Sequence, residues 1–360
     1  MSPLLFTGLG LGIVFGFALQ RGRFCMNSAF RDIVVLKDYD LLKAVGVALL
    51  VSMVGFQILA MTGVITLSPK PLLWGANILG GLIFGIGMVL AGGCASGVTY
   101  RAGEGMMGAM AAIAGFSIAG LMAAMGLFKP LVTSLQEGTK IAAADGSSLT
   151  LASIFGLPHV VLAFGIPIVA IVLYFLFGRN KDEYEYESDE KVSLSERIFK
   201  RGWGWLATGV VIGLIGIAAF PLSAATGRNY PLGITGGWVG FSRTLVTGEN
   251  LISWEVLLVL GVVLGGFIAA IIAGEFALRA PEPKVMLQTF GGGMLMGFGA
   301  VCASGCNVGH ILSGVPQLSL GSIVGGTSIV LGAWFAAYLM FVRPQQARMR
   351  AAEQVAHART

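Results

Sequence analysis

Apolar runs of about twenty residues, separated by short polar or charged connections, make up most of this chain. A helix that crosses the hydrocarbon of a bilayer needs ~20 mostly apolar residues. On that template nine spans are predicted, near 4–20, 43–65, 77–93, 105–126, 159–178, 204–222, 254–278, 287–303 and 320–342. The third and eighth are short and Gly-rich, and read as partial or broken helices. The first has no basic leader and no A-x-A site, so it reads as a span and not as a removable signal. The connection 127–158 is predicted to be partly structured. The connection 179–201 (RNKDEYEYESDEKVSLSERIFKR) reads as a charged linker between two halves.

Composition agrees with that pattern. Of 360 residues 56% are hydrophobic and 11% charged, where a soluble domain carries roughly 25% charged residues. The expected surroundings are membrane lipid, and the net charge of +5 calls for no nucleic acid. Eighteen of the 23 Lys and Arg fall in connections after odd-numbered spans, leaving Lys70, Lys129, Lys140, Arg228 and Arg243 on the opposite side. By the positive-inside rule the N-terminus is expected outside and the C-terminus in the cytoplasm.

The stretch Gly80–Gly97, GGLIFGIGMVLAGGCASG, recurs without a gap as Gly292–Gly309, GGMLMGFGAVCASGCNVG, with nine of eighteen positions identical and Cys94 matched to Cys306. An odd number of spans separates the copies, so the halves are expected to point in opposite directions. Paired Gly-interrupted segments at matching places in two halves point to a transporter's binding site. The predicted fold is an all-α polytopic membrane protein of about nine transmembrane helices plus short re-entrant helices. Its expected divisions are a first membrane repeat over 1–126, an outer loop, connecting span and linker over 127–203, a second, inverted repeat over 204–342, and a cytoplasmic tail over 343–360.

The candidate chemistry sits in these breaks. Where one helix stops and another starts, free amides and the helix dipole favour anions. Gly93, Cys94, Ser96 and Gly97 supply such a turn in the first copy. Ser304, Gly305, Cys306 and Asn307 supply it in the second. A third thiol, Cys25, follows the first span in RGRFCMN beside Arg21 and Arg23. Arg101 follows the first thiol turn, and Arg228 lies in the GRNYPLGITGG run on the opposite side. The plainer alternatives are glycines that only permit helix packing, Arg21 and Arg23 as interface anchors, Cys25 as a small buried hydrophobe, Arg101 and Glu104 as solvated residues, and His310 as a structural histidine. All four cysteines are expected free; Cys302 and Cys306, four apart, are expected on one helix face. There is no P-loop and no zinc-type His/Cys spacing, and no cofactor is expected.

RGRFCMNSAFRD, the two Gly-rich thiol segments (IFGIGMVLAGGCASG and LMGFGAVCASGCNVG) and GRNYPLGITGG resemble the YeeE/YedE family of sulfur transporters, over nearly the whole chain. The resemblance implies a bacterial inner-membrane protein that takes up thiosulfate, with an hourglass shape and inverted repeats. It implies Cys25, Cys94 and Cys306 as thiols that pass the ion along, with Cys302 secondary because it lacks the GC context. It also implies a TusA-like sulfur-carrier protein as a partner. Two other readings are a membrane sulfurtransferase that forms a persulfide on Cys94 or Cys306, and a transporter of another sulfur or selenium oxyanion.

Overall fold

A computed structural model describes residues 3–143, 146–178, 193–249 and 252–357. Residues 179–192 of the expected linker, with Arg179, Lys181 and Lys191, and Arg359 of the expected tail, lie outside the described residues.

The first part of the chain forms α1 (Phe6–Arg21), α2 (Met26–Val35), α3 (Asp40–Met61), α4 (Trp74–Leu90), α5 (Ala95–Gly103) and α6 (Met107–Ala124). Short helices α7 (Lys129–Gly138) and α8 (Leu151–Phe155) lead to α9 (His159–Leu173) and α10 (Leu194–Phe199). Then come α11 (Trp205–Ala224), α12 (Thr235–Thr247), α13 (Trp254–Ile272), α14 (Pro283–Cys302), a wide π-turn at Val308–Gly314, α15 (Leu320–Ala337) and α16 (Arg343–His357). The chain is an all-α polytopic membrane protein, with nine helical stretches among the described residues long and apolar enough to cross a bilayer. A two-residue antiparallel pair, β1 (Leu72–Leu73) with β2 (Lys140–Ile141), pins the 127–158 connection to the start of α4.

One expectation about length changes. α14 starts at Pro283, where Pro suits the first turn of a helix, and its 20 residues extend ~30 Å. The eighth span is therefore full length. What it shares with α4 is an abrupt stop at the thiol turn.

Close backbone approach holds the bundle together. Lipid tails are as apolar as Leu, so membrane helices associate through packing, which small residues permit. α1 packs on α13 as α11 packs on α3, and α6 packs on α14 as α15 packs on α4. At the centre α4 crosses α14 head to tail: Gly80 lies against the backbone of Gly299 and Ala303, and Gly87 against Gly292 and Met296. A Cβ at any of these glycines would run into backbone, which cannot yield. Around the outside, α9 turns Val161, Ile168, Val169, Ile171, Val172 and Leu173 outward, as a lipid-facing connecting span does.

Gly297→Val drives a side chain into the Phe116 carbonyl of α6 and is expected to destabilise the protein by about 1–3 kcal/mol. Gly291→Val, which faces open space, is the control. Thermal unfolding of both in detergent measures the difference.

Candidate functional site

Among the helices that stop at a left-handed residue, three lead straight into a cysteine. A residue in the left-handed region closes each one: Arg23 (φ 47°), Gly92 (φ 70°) and Ser304 (φ 61°). The next N–H then reaches back five residues to a helix carbonyl, as Phe24 to Leu19 at 2.9 Å, Gly93 to Met88 at 3.1 Å and Gly305 to Ala300 at 2.7 Å. This is the Schellman stop. The following residue is a cysteine in every case, and its carbonyl starts the next helix: Ala29 N–H donates to Cys25 at 2.9 Å, Val98 to Cys94 at 2.8 Å and His310 to Cys306 at 2.8 Å. All three thiols thus stand at helix N-termini, where backbone amides point outward.

The freed carbonyls at these stops are also satisfied. Arg101 Nη1 donates to Gly92 O at 2.7 Å, and the Lys70 ammonium donates to Ser304 O. In both copies, then, a cation holds the carbonyl of the left-handed residue. Gln136 Nε2 covers Val301 O and Cys302 O at 2.9 and 3.0 Å. His310 Nε2 lies 2.9 Å from Ala303 O; since a carbonyl only accepts, that nitrogen carries the proton. The other ring nitrogen lies 3.4 Å from Ser322 Oγ, so both nitrogens of the buried His310 have partners within the fold.

The fold brings Cys25 and Cys94 together across 69 residues of sequence, with their sulfurs 3.7 Å apart. Gly97 N–H donates to Cys94 Sγ at 3.3 Å, and Ser96 Oγ lies 3.5 Å from it. A Cβ on Gly97 would sit 2.7 Å from Cys25 Sγ and 3.2 Å from Cys94 Sγ, so only glycine lets the sulfurs approach. Gly93 abuts Val98 and Arg101, which sets the half-buried Arg101 beside the buried Cys25, Cys94, Ser96 and Gly97.

Cys306 lies elsewhere. Because α4 and α14 run antiparallel, their thiol ends are roughly 20 Å apart along the crossing. The structure thus pairs two of the three expected thiols, Cys25 and Cys94, and sets Cys306 at the other end of the α4–α14 crossing. Cys306 lines a cavity of about 360 Å³ together with Ser304, Gly305, Lys70, Arg228, Tyr230 and Glu255. Neither Cys25 nor Cys94 borders that cavity, although all three sulfurs belong to one buried apolar cluster with Met88, Met296, Ile234 and Trp238. Arg228 pairs with Glu255 at 2.6 Å, and Tyr230 OH donates to Gly309 O at 2.7 Å. Lys70 stacks over the Tyr230 ring, 5.1 Å from its centroid. Burial, with Arg228 nearby, pulls the Lys70 ammonium down to about 8. Asn307 is fully buried, and neither side-chain amide atom has a hydrogen-bond partner among the described residues.

One expectation is revised, and the structure places three secondary candidates, Cys302, Arg21 and Arg23. Cys302 and Cys306 do not share a helix face, because the Schellman stop separates them. Cys302 packs among Leu73, Ala76, Ala123 and Val132, its thiol 3.8 Å from Ala76 O, away from the cavity. Arg21 and Arg23 are already neutralised: Arg21 pairs with Glu275 at 2.5 Å, and Arg23 with Glu104 at 2.9 Å and Glu275 at 2.7 Å. Gln20 donates to both carboxylates. Burial works against the charged form of Glu275, but the Gln20 amide, then Arg23 and Arg21, hold its carboxyl below the usual carboxylate range. Sequence reasoning passed over Lys70, Tyr230 and Glu255. The available signal was charge: Lys70 and Arg228 are two of only five basic residues on the sparsely charged side, and they converge on Cys306.

A family model described as sulphur transport matches residues 21–335, a range that takes in all three thiol turns. The chain belongs to this sulphur transport family. Over 353 residues it is 40% identical to the thiosulfate transporter TsuA of Spirochaeta thermophila, covering 94% of this chain and 100% of that one. It is 35% identical to the thiosulfate transporter TsuA of Escherichia coli over 354 residues, 96% and 97% of the two chains. A shorter match, 39% over 107 residues, covers 29% of this chain and 26% of the probable transporter YedE of Escherichia coli. With this membership the protein is a multi-pass membrane transporter and not an enzyme.

The ion network at the end of α1 is structural on this geometry. Arg21→Gln is expected to cost about 2–3 kcal/mol, below the range for a fully buried pair because Glu275 is about a third exposed. Thermal unfolding checks this, and uptake per folded molecule is expected to stay near that of the parent protein.

Proposed function

We propose that this protein carries thiosulfate inward across the bacterial inner membrane, through two halves of inverted topology over 1–126 and 204–342. The observation that carries this reading is the threefold turn that puts a thiol at the start of a helix, where backbone amides point outward. Thiosulfate has three hard oxygens and one soft terminal sulfur. Amides at a helix start suit the oxygens, and a thiol is a weak donor matched to the sulfur. Weak contacts in series suit passage, since a site must release what it binds.

On this reading the Cys306 cavity is the entry side, with the N-terminus outside and the C-terminus cytoplasmic. Lys70 and Arg228 attract the dianion, and Ser304, Gly305 and Asn307 help seat it beside Cys306. The unpartnered Asn307 amide supports this, because a buried amide without a partner is costly. The Cys25–Cys94 pair, with Gly93, Ser96 and Gly97, forms the later station, and Arg101 holds its turn in shape. Cys302, Arg21 and Arg23 take no direct part. A TusA-like carrier on the cytoplasmic side is a chemically suitable acceptor for the sulfur delivered.

Cys94→Ala and Cys306→Ala are each expected to abolish uptake of labelled thiosulfate into proteoliposomes, with the protein still in the membrane. Normal uptake by both removes the thiols from the mechanism, and a stable gain of one sulfur on either cysteine in the parent protein would favour the sulfurtransferase reading.

The cavity also predicts a pH dependence. Lys70 faces Arg228, Glu255, Tyr230, Cys306 and His310. Its positive charge is present below about 8 and is lost as pH rises through that value, so thiosulfate binding is expected to weaken between pH 7 and 9. Lys70→Arg, which stays charged across that range, is expected to flatten the profile, as followed by equilibrium binding of labelled thiosulfate.

A further inference from the structure

Two cysteines drawn from distant parts of the chain lie with sulfurs 3.7 Å apart, and neither is in a disulfide. Each starts a separate helix, α2 and α5. The only atoms that would keep them apart, a side chain on Gly97, are absent. Both sulfurs are buried, so on the transport reading a reagent reaches them by the path proposed for the anion. A dithiol in this setting reacts with compounds that carry a sulfur–sulfur bond. The compound that best fits a site for thiosulfate and also carries such a bond is its own oxidised dimer, a polythionate.

We infer that the Cys25–Cys94 dithiol is a modification site for polythionates, which close it to a disulfide and so shut the route. In the first step one thiol sulfur attacks an inner sulfur of tetrathionate. The inner S–S bond breaks, thiosulfate leaves with the electron pair, the proton is released, and the cysteine carries an S–SO3⁻ group. In the second step the neighbouring thiol attacks that cysteine's sulfur. A second thiosulfate and a second proton depart, leaving the Cys25–Cys94 disulfide. The two thiols lose two electrons in all, and one tetrathionate gains them to become two thiosulfates. The bond ties the start of α2 to the start of α5 and removes both S–H groups that face the anion. A transporter built this way stops when its substrate pool is oxidised and restarts when a dithiol reductant restores the pair. The effect on transport rests on the thiosulfate reading above; the thiol chemistry does not.

The test uses the full chain in proteoliposomes, treated with tetrathionate and, separately, with the membrane-permeant oxidant diamide. The expected result is an intact mass lower by about 2 Da, two thiols lost to alkylation, and one cross-linked peptide joining Cys25 to Cys94. Thiosulfate uptake is expected to fall at least tenfold and to return with dithiothreitol. Cys25→Ser and Cys94→Ser cannot complete the second step, so tetrathionate should leave each with a gain of about 112 Da, while Cys306→Ser should still close the pair. The inference is overturned if all four thiols stay open to alkylation after both reagents, if the cross-link joins other residues, or if the disulfide forms and uptake is unchanged. If the untreated protein moves no thiosulfate, the transport reading fails, and the masses alone then decide whether the dithiol closes.

Discussion

Ending a helix inside an apolar body is the constraint on which the rest of this structure depends. The last carbonyls and the first amides at such a break have no water to satisfy them. The protein meets this three times with one device: a left-handed residue, a backward N–H bond, and a cysteine that opens the next helix. The same break that must be satisfied also creates a polar spot of backbone groups, with a cation, Arg101 or Lys70, on the carbonyl of the left-handed residue in two of the three breaks. A thiol at that spot adds a soft donor that is tolerated in apolar surroundings, where an ammonium or carboxylate would need a counterion.

Glycine contacts keep the breaks where they are. The α4–α14 crossing puts Gly80 on Gly299 and Gly87 on Gly292, which locks the two thiol turns at opposite ends of one rigid pair. Charge is handled differently at the two ends. Around Arg21 and Arg23 the guanidiniums are matched by Glu104 and Glu275 and linked by Gln20, so this end is neutralised and fastened. Around Cys306, Lys70 and Arg228 share a single carboxylate, Glu255, and line a cavity. That surplus of one positive charge is what the proposed entry of an anion at this end rests on.

Much of the site was legible from the chain, and particular residues show where legibility stopped. The GC shared by the two matched sequence segments located the Cys94 and Cys306 turns because the local device needs small residues at fixed spacing. Gly92 in one copy and Ser304 in the other occupy the same frame position and the same left-handed conformation, so the sequence alignment is also a conformational one. Arg23 was harder to read: an arginine seldom adopts positive φ, and nothing in RGRFC marks it as equivalent to Gly92. The pairing of Cys25 with Cys94, the neutralisation of Arg21 by Glu275, and the arrival of Lys70 at Ser304 all join residues far apart in the chain. No periodicity encodes such contacts.

Span number, all-helical class and the places where helices break were determined by the sequence alone, since each follows from local hydrophobicity and from backbone preferences of neighbouring residues. Tertiary structure decided which thiols share a site, which cations are cancelled and which stay available, and that Cys302 belongs to packing despite lying four residues from Cys306. The reason is that helix stops are set by short-range sterics, while charge balance and sulfur–sulfur proximity depend on how helices cross.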